Sequence, residues 1–132
     1  MPEATRPLPL IVAGALLLAS VAGAAAQQGF SLDDFDVDDG GDLLDICTLD
    51  ESHINHWEAQ SFCYGYFQGG ADFHRALVSG EQHGPITCPP ADATIRDGVR
   101  VFVDYARAHP EYQGEAAMDL VFRAVIEEWP CP

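Results

Sequence analysis

Lysine is absent from this chain, and basic side chains of any kind are few. Six arginines stand against 21 aspartates and glutamates, which gives a formal net charge of −15. The arginines are predicted to be dispersed through the helical segments rather than clustered. Nucleic acids and anionic membranes are both bound by patches of cationic side chains that neutralise phosphates. The composition therefore argues against both ligands and favours a protein partner with a basic surface.

Recognisable catalytic patterns are also lacking. No serine stands in a GxSxG or SxxK context, and no HExxH pattern accompanies the histidines. His53 and His56 lie three residues apart at a predicted helix start, where we interpret them as capping or surface residues. We therefore expect no catalytic residues, no cofactor and no metal site, and an enzyme is the third-ranked hypothesis.

Residues 1–26 have the parts of an export signal. Arg6 precedes a long apolar run that ends in Ala24-Ala25-Ala26, a cleavage site after Ala26. An uncleaved membrane anchor is the alternative, because the apolar stretch is nearly long enough to cross a bilayer. The many alanines and glycines and the presence of Pro9 favour cleavage. We expect a periplasmic protein whose mature part forms one domain.

An acidic leader is predicted for residues 27–41. Asp34-x-Asp36-x-Asp38 resembles the start of a calcium-binding loop, but the EF-hand pattern requires glycine at its sixth position, where Asp39 stands. We interpret the first half of this segment as a flexible, solvated tail. The helical domain is assigned to residues 42–132.

Residues 42–132 show helical periodicity, with no convincing strand alternation and no internal repeat, so the predicted fold class is all-α. Helix boundaries follow from capping residues, glycine and proline. The predicted helices are a short one capped by Asp42, a long one from a capping box at Asn55 and Glu58 to Gly80, a third from Thr94 to the residue before His109-Pro110, and a fourth from about Glu115 to Trp129.

The apolar positions predict which helix faces are buried. The long helix carries a stripe at steps of four and seven, and its three glycines predict close packing against it. Four neighbouring aromatic residues cannot share one face, so at least one should be partly covered and serve either a structural role or a contact. The stripe is Phe62, Tyr66, Phe73 and Leu77; the glycines are Gly65, Gly69 and Gly70; the aromatic residues are Phe62, Tyr64, Tyr66 and Phe67.

Cys47, Cys63, Cys88 and Cys131 all follow the predicted signal, and an even number of cysteines in an exported chain predicts two disulfides. A zinc site is the alternative, but no spacing matches a CxxC or CxxxxC knuckle. Three connectivities are open. Short connections make neighbouring helices antiparallel, which brings the end of the fourth helix near Cys88 and favours Cys88–Cys131. Cys47 would then pair with Cys63.

An ordered set of motifs resembles the Rap/Tai family of periplasmic immunity proteins, which protect bacteria from cell-wall amidases delivered by type VI secretion. The resemblance covers about residues 43–131. It differs at Asp97, where the family usually has glutamine. The matching features are Cys47, Cys63-Tyr64-Gly65-Tyr66-Phe67-x-Gly69 with Asp72, Cys88-Pro89-Pro90, Thr94, Tyr105-x3-His109-Pro110-Glu111, Ala116-Ala117 and Trp129-Pro130-Cys131.

The resemblance implies a compact four-helix domain with two disulfides, similar to the Hde-type acid chaperones and often homodimeric. It implies a protein that blocks a peptidoglycan amidase by occupying its active-site cleft. A periplasmic chaperone-like or general protein-binding module without a dedicated effector is the alternative function. The loop after the third helix is the implied partner-binding segment: Arg107, His109, Glu111, Tyr112, Gln113 and Glu115.

Overall fold

The computed structural model describes residues 32–80 and 82–132, and these form four α-helices and two short 3-10 turns. No strand occurs in these ranges apart from an isolated bridge between Asp39 and Ala116. The predicted all-α, four-helix architecture is confirmed. The predicted signal peptide and the leader up to residue 31 lie outside the described residues. The helices are α1 (Gly40–Cys47), α2 (His56–Val78), α3 (Ile95–Ala108) and α4 (Ala117–Glu128), and the turns are Leu32–Phe35 and Pro110–Tyr112.

The start of α1 is set by a reciprocal capping box. The Asp39 carboxylate accepts a hydrogen bond from the Asp42 N–H at 3.0 Å, and the Asp42 carboxylate accepts one from the Asp39 N–H at 3.3 Å. Asp39 is therefore the cap, and the prediction of Asp42 was wrong by three residues. The Gly40 N–H donates to the Glu115 carbonyl at 2.9 Å, so this helix start is joined to the chain just before α4.

The buried face of α2 differs from the predicted stripe. Ala59, Cys63, Phe67 and Gly70 are buried, whereas Phe73 is 63% exposed and Leu77 is 45% exposed. The disulfide to α1 and the edge-on contact of Phe67 with Phe102 on α3, at a centroid distance of 5.5 Å, fix the rotation of this helix. The inner face therefore combines three small residues with Phe67, whereas Phe62 and Tyr66 of the predicted stripe are only partly covered and Phe73 and Leu77 remain outside.

Only one of the three α2 glycines is closely packed. A Cβ atom at Gly70 would lie 2.9 Å from the Cε atom of Met118 on α4. Gly65 and Gly69 would meet nothing within 4 Å, so the prediction of close packing was wrong for these two. The aromatic prediction is confirmed, because Phe67 is buried while its three aromatic neighbours are only partly covered.

The other helix starts confirm one predicted cap, contradict one predicted capping box and correct one boundary. Thr94 caps α3: its hydroxyl accepts from the Asp97 N–H at 3.3 Å, and the Asp97 carboxylate accepts from the Thr94 N–H at 2.9 Å. Asp97 thus supplies the acceptor that completes a capping box. Asn55 precedes α2, but its side chain makes no capping hydrogen bond, so that predicted box is absent. Helix α4 begins at Ala117 and not at Glu115, whose carbonyl is bonded to α1.

The core lies where α1, α3 and α4 meet the first half of α2. Its most completely buried large side chains are Leu43, Cys63, Phe102 and Leu120, one from each helix. The apolar face predicted for α4 is confirmed in full, since all five of its positions are buried. Those positions are Ala117, Leu120, Val121, Ala124 and Val125.

Both favoured cysteine pairings are confirmed. Cys47 at the end of α1 is joined to Cys63 in α2, and Cys88 in the α2–α3 connection is joined to Cys131. Backbone hydrogen bonding supports the second bridge, because the Cys88 N–H donates to the Trp129 carbonyl at 2.9 Å. All four cysteines are therefore oxidised.

Candidate functional site

The loop between α3 and α4 was predicted to bind a partner, and a stack of rings lies beside it. We call this stack the ring cluster: Tyr105 of α3, His109 and Tyr112 of the loop, and the guanidinium of Arg123 of α4. The Tyr105 and His109 rings are 4.4 Å apart, one turn from each other on the chain. Tyr105 and Tyr112 are almost parallel at 6.4 Å. The Arg123 guanidinium lies 4.3 Å from the centre of the Tyr112 ring, a cation–π contact from α4.

Charged groups hold the ring cluster in place. Arg123 makes a two-pronged pair with Glu115, with Nε–Oε2 at 3.1 Å and Nη2–Oε1 at 2.8 Å, and this raises the pKa of Arg123. His109 Nδ1 lies 3.2 Å from Glu111 Oε1. The pKa of Glu111 is lowered, first by its own backbone N–H and then by the His109 hydrogen bond. Burial followed by the negative charge of Glu127 raises the pKa of Tyr105, so this phenol stays neutral at physiological pH.

Four of the six predicted contact residues are brought together here, and two are not. His109, Glu111, Tyr112 and Glu115 surround the stack. Gln113 turns inward, and its side-chain amide donates to the Ala106 carbonyl at 2.9 Å.

Arg107 lines a separate groove. That groove runs between α3 and the α1–α2 connection, and it collects three exposed arginines that we call the arginine stripe: Arg96, Arg100 and Arg107. At about 100° per residue, these positions fall within about 40° of one another around the helix. The prediction that the arginines are dispersed was therefore wrong for α3.

Tyr105 and Arg123 were missing from the predicted contact set. Tyr105 stands four residues before His109, a spacing that puts two helical side chains side by side. The sequence could therefore have predicted that Tyr105 lies next to His109. Arg123 reaches Tyr112 from a different helix. Its participation depends on how α4 packs against the loop, which no local pattern encodes.

An apolar cavity of about 480 Å³ lies between the second half of α2, the start of α3 and α4. Its walls include Phe67, Met118, Phe122 and Trp129. The α2–α3 connection borders it, and the Ile86 N–H there donates to His74 Nε2 at 3.3 Å. Such a cavity has the size and lining to accept an apolar group.

Nowhere in residues 32–80 and 82–132 do three His, Cys, Asp or Glu side chains stand close enough to hold a metal ion. None of the helices in these ranges combines the length and apolar character needed to cross a bilayer.

The fold and surface define a small all-helical domain, stabilised by two disulfides, with a rigid loop of rings and charges. Residues 39–131 match the family model of the Rap1a immunity proteins, and the chain belongs to that family. Searches of curated proteins and of solved structures gave no match. Family membership identifies the chain as an immunity protein, a class whose members act by binding an effector protein. The disulfides and the family both fit an exported protein.

Proposed function

We propose that this protein is a periplasmic immunity protein that binds and blocks a peptidoglycan amidase delivered by type VI secretion, without catalytic activity of its own. The match to the Rap1a immunity proteins over residues 39–131 carries the proposal. The two disulfides support an oxidising compartment. In this scheme, the signal peptide is cleaved after Ala26, and intact mass of the periplasmic protein tests that step. A species retaining Met1 would contradict it.

The ring cluster and its neighbours form the proposed partner-binding surface. Tyrosine rings supply large contact areas at low cost in conformational entropy, and the Arg123–Glu115 pair holds Tyr112 in place before binding. Glu111 is exposed and ionised at neutral pH, so it can meet a cationic group of the amidase. Gln113 contributes indirectly, by fixing the loop to α3.

Net negative charge supports a partner with a basic surface. A chain with a formal net charge of −15 attracts a cationic protein over distances comparable to the Debye length, which is about 8 Å at physiological ionic strength. Association with the amidase should therefore be faster at low salt, whereas dissociation should depend mainly on the packed rings.

The experiment compares two charge reversals of exposed glutamates. Residues 27–132 are titrated into an amidase encoded beside this gene, and hydrolysis of purified cell wall is followed. Glu111→Arg, in the proposed surface, should weaken inhibition by about tenfold or more, as for a residue in an interface centre. Glu58→Arg, on exposed α2, changes the net charge equally and should leave inhibition within about twofold.

Equal weakening by both reversals would show that only total charge matters and would refute the assigned surface. Failure of the correctly folded wild-type chain to inhibit the amidase would refute the amidase as target. A pull-down from periplasm with the mature chain then identifies the effector that the family membership implies.

We also propose a homodimer formed through the outer face of α2. Phe73 and Leu77 are exposed there, and no Asp, Glu, Lys or Arg occurs between Ala59 and Ala71. Two chains that each carry a net charge of −15 repel each other. A face without charged residues can therefore contact the same face of a second copy with the least electrostatic repulsion. Analytical ultracentrifugation should find a dimer that Phe73→Asp converts to monomer. A wild-type monomer at all concentrations would refute this.

A general protein-binding module is the second candidate function, and exposed apolar surface favours it. Trp57 is 76% exposed, and the apolar cavity is open to solvent. A chaperone of this kind should expose more apolar surface as its carboxylates are protonated. A dye for apolar surface should then brighten between neutral pH and about pH 3, and a flat response would remove this candidate.

A further inference from the structure

The arginine stripe is a cationic strip on a strongly anionic protein. Residues 27–132 contain five arginines and no lysine, and three of the five lie on this one side of α3. Arg100 pairs with Asp104 at a long 3.7 Å. Neither Arg96 nor Arg107 forms an ion pair with any residue in the described ranges, and both are exposed. Two guanidinium groups are therefore open to an external anion.

The spacing of the stripe fits an extended chain. A helix rises about 1.5 Å per residue, which separates Arg96 from Arg100 by about 6 Å and Arg100 from Arg107 by about 10 Å. Side chains on one face of an extended strand repeat at about 6.6 Å. Arginine side chains are long enough to close the remaining difference. Carboxylates on alternate residues of an extended segment can therefore reach all three guanidinium groups.

The walls of the groove are held rigidly next to the stripe. The Gln60 side-chain amide donates to the Cys47 carbonyl at 3.1 Å, and His56 Nδ1 lies 2.9 Å from the Leu49 carbonyl oxygen. These contacts fix the α1–α2 connection beside α3, next to the Cys47–Cys63 bridge. Tyr64 also lines the groove.

The acids around the groove decide which kind of anion fits. Asp50, Glu51 and Asp104 also line it. A bilayer or a nucleic-acid duplex presents a broad negative surface that would meet these carboxylates together with the arginines. A single extended polypeptide can lie along the stripe and avoid them. Charge complementarity therefore favours a narrow acidic segment of a protein.

We propose that the arginine stripe and its groove bind an extended acidic segment of a partner protein, through charge-assisted hydrogen bonds from Arg96, Arg100 and Arg107 to carboxylates on alternate residues. This surface has the opposite sign to the rest of the molecule. It also lies apart from the ring cluster, because Arg107 faces the groove and not the rings. The inference does not depend on the identity of the inhibited enzyme.

The test uses the peptide GEGEGEG-amide with fluorescein attached to its N-terminal amine, and fluorescence anisotropy at low salt with residues 27–132. Arg96→Gln combined with Arg107→Gln should weaken binding by about tenfold, since each exposed arginine–carboxylate pair contributes modestly. Arg107→Gln alone should weaken it severalfold. The matched control is Arg75→Gln, which removes one exposed, Asp72-paired arginine on α2 and should change binding by less than about twofold.

Two further probes make the result decisive. The peptide GQGQGQG-amide, labelled in the same way, should not bind, and Arg107→Lys should bind more weakly than wild type, because lysine cannot form the two-pronged carboxylate contact. Equal binding by wild type and the double variant, or no binding of the glutamate peptide, would overturn the proposal. Arginine-dependent pelleting with phosphatidylglycerol vesicles would also overturn it, in favour of a membrane surface. Far-UV circular dichroism verifies that the variants are folded.

Discussion

A single added methyl group should change the stability of this domain in opposite directions at two glycines. A Cβ atom at Gly40 would overlap Cδ2 of Leu120 and lie 3.2 Å from the Cβ and Cγ atoms of the same side chain. Leu120 is fully buried, so it has no room to move away. At Gly69, by contrast, a Cβ atom would meet nothing within 4 Å. The two sites therefore separate the cost of crowding from the gain in helix propensity.

The expected magnitudes follow from these two terms. Overpacking costs about 1–3 kcal/mol, and replacing glycine by alanine returns about 0.5–1 kcal/mol within a helix. Gly40→Ala should therefore lower the free energy of unfolding by about 1–2 kcal/mol. Gly69→Ala should raise it by about 1 kcal/mol. In a domain of this size each kcal/mol corresponds to a shift in Tm of about 4–8 °C.

The assay is urea unfolding of residues 27–132 at neutral pH, followed by far-UV circular dichroism, at concentrations low enough to keep the chain monomeric. Wild-type stability in Gly40→Ala would refute the packing of α1 onto α4. A destabilised monomeric Gly69→Ala would refute the open environment of that helix face. Loss of stability in Gly69→Ala only at high concentration would instead indicate that a second copy covers this face.

Further predictions concern the α3 cap and the disulfides. Thr94→Ala should lower the free energy of unfolding, measured with urea, by about 1 kcal/mol through loss of the cap. An unchanged free energy of unfolding would contradict this prediction. The Thr94 hydroxyl, and then its backbone N–H, hold the pKa of Asp97 below its ordinary 3.8. A carboxylate with a lowered folded-state pKa stabilises the fold above its unfolded pKa, and this is lost as pH falls through the folded value. The difference in free energy of unfolding between wild type and Asp97→Asn should therefore be constant above about pH 4 and shrink below it. A difference that grows on acidification would refute the lowered pKa of Asp97 in the folded state. Replacing Cys88 and Cys131 together by alanine should cost about 4 kcal/mol from the 43-residue separation that the bridge closes, measured by urea unfolding, and a loss under about 1 kcal/mol would show that chain entropy is not the source.

Where the sequence carried a strong local signal, prediction and structure agree. Thr94 and the apolar periodicity of α4 depend on residues close together in the chain, and both were predicted correctly. The α1 cap is a near miss of the same kind. Asp39 and Asp42 are both capping residues by type, and the reciprocal box decides which one is first.

Helix α2 shows why other features escaped prediction. It carries large apolar residues such as Phe73 on one side and small ones such as Ala59 and Cys63 on another. Periodicity alone favours the larger residues as the core face. The disulfide to α1 instead brings a neighbouring helix close to the small residues, and that close approach leaves Phe73 in solvent.

The sequence by itself determined the helical class, the two sulfur bridges, the excess of acid and the loop that precedes α4, because composition, periodicity and spacing are properties of the chain. Tertiary packing alone decided which face of α2 is buried, that Arg123 covers Tyr112, and that the α1–α2 connection lies beside the three arginines of α3. Each of these depends on how one helix is rotated against another. That rotation is set by contacts between residues far apart in the chain, which no local pattern records.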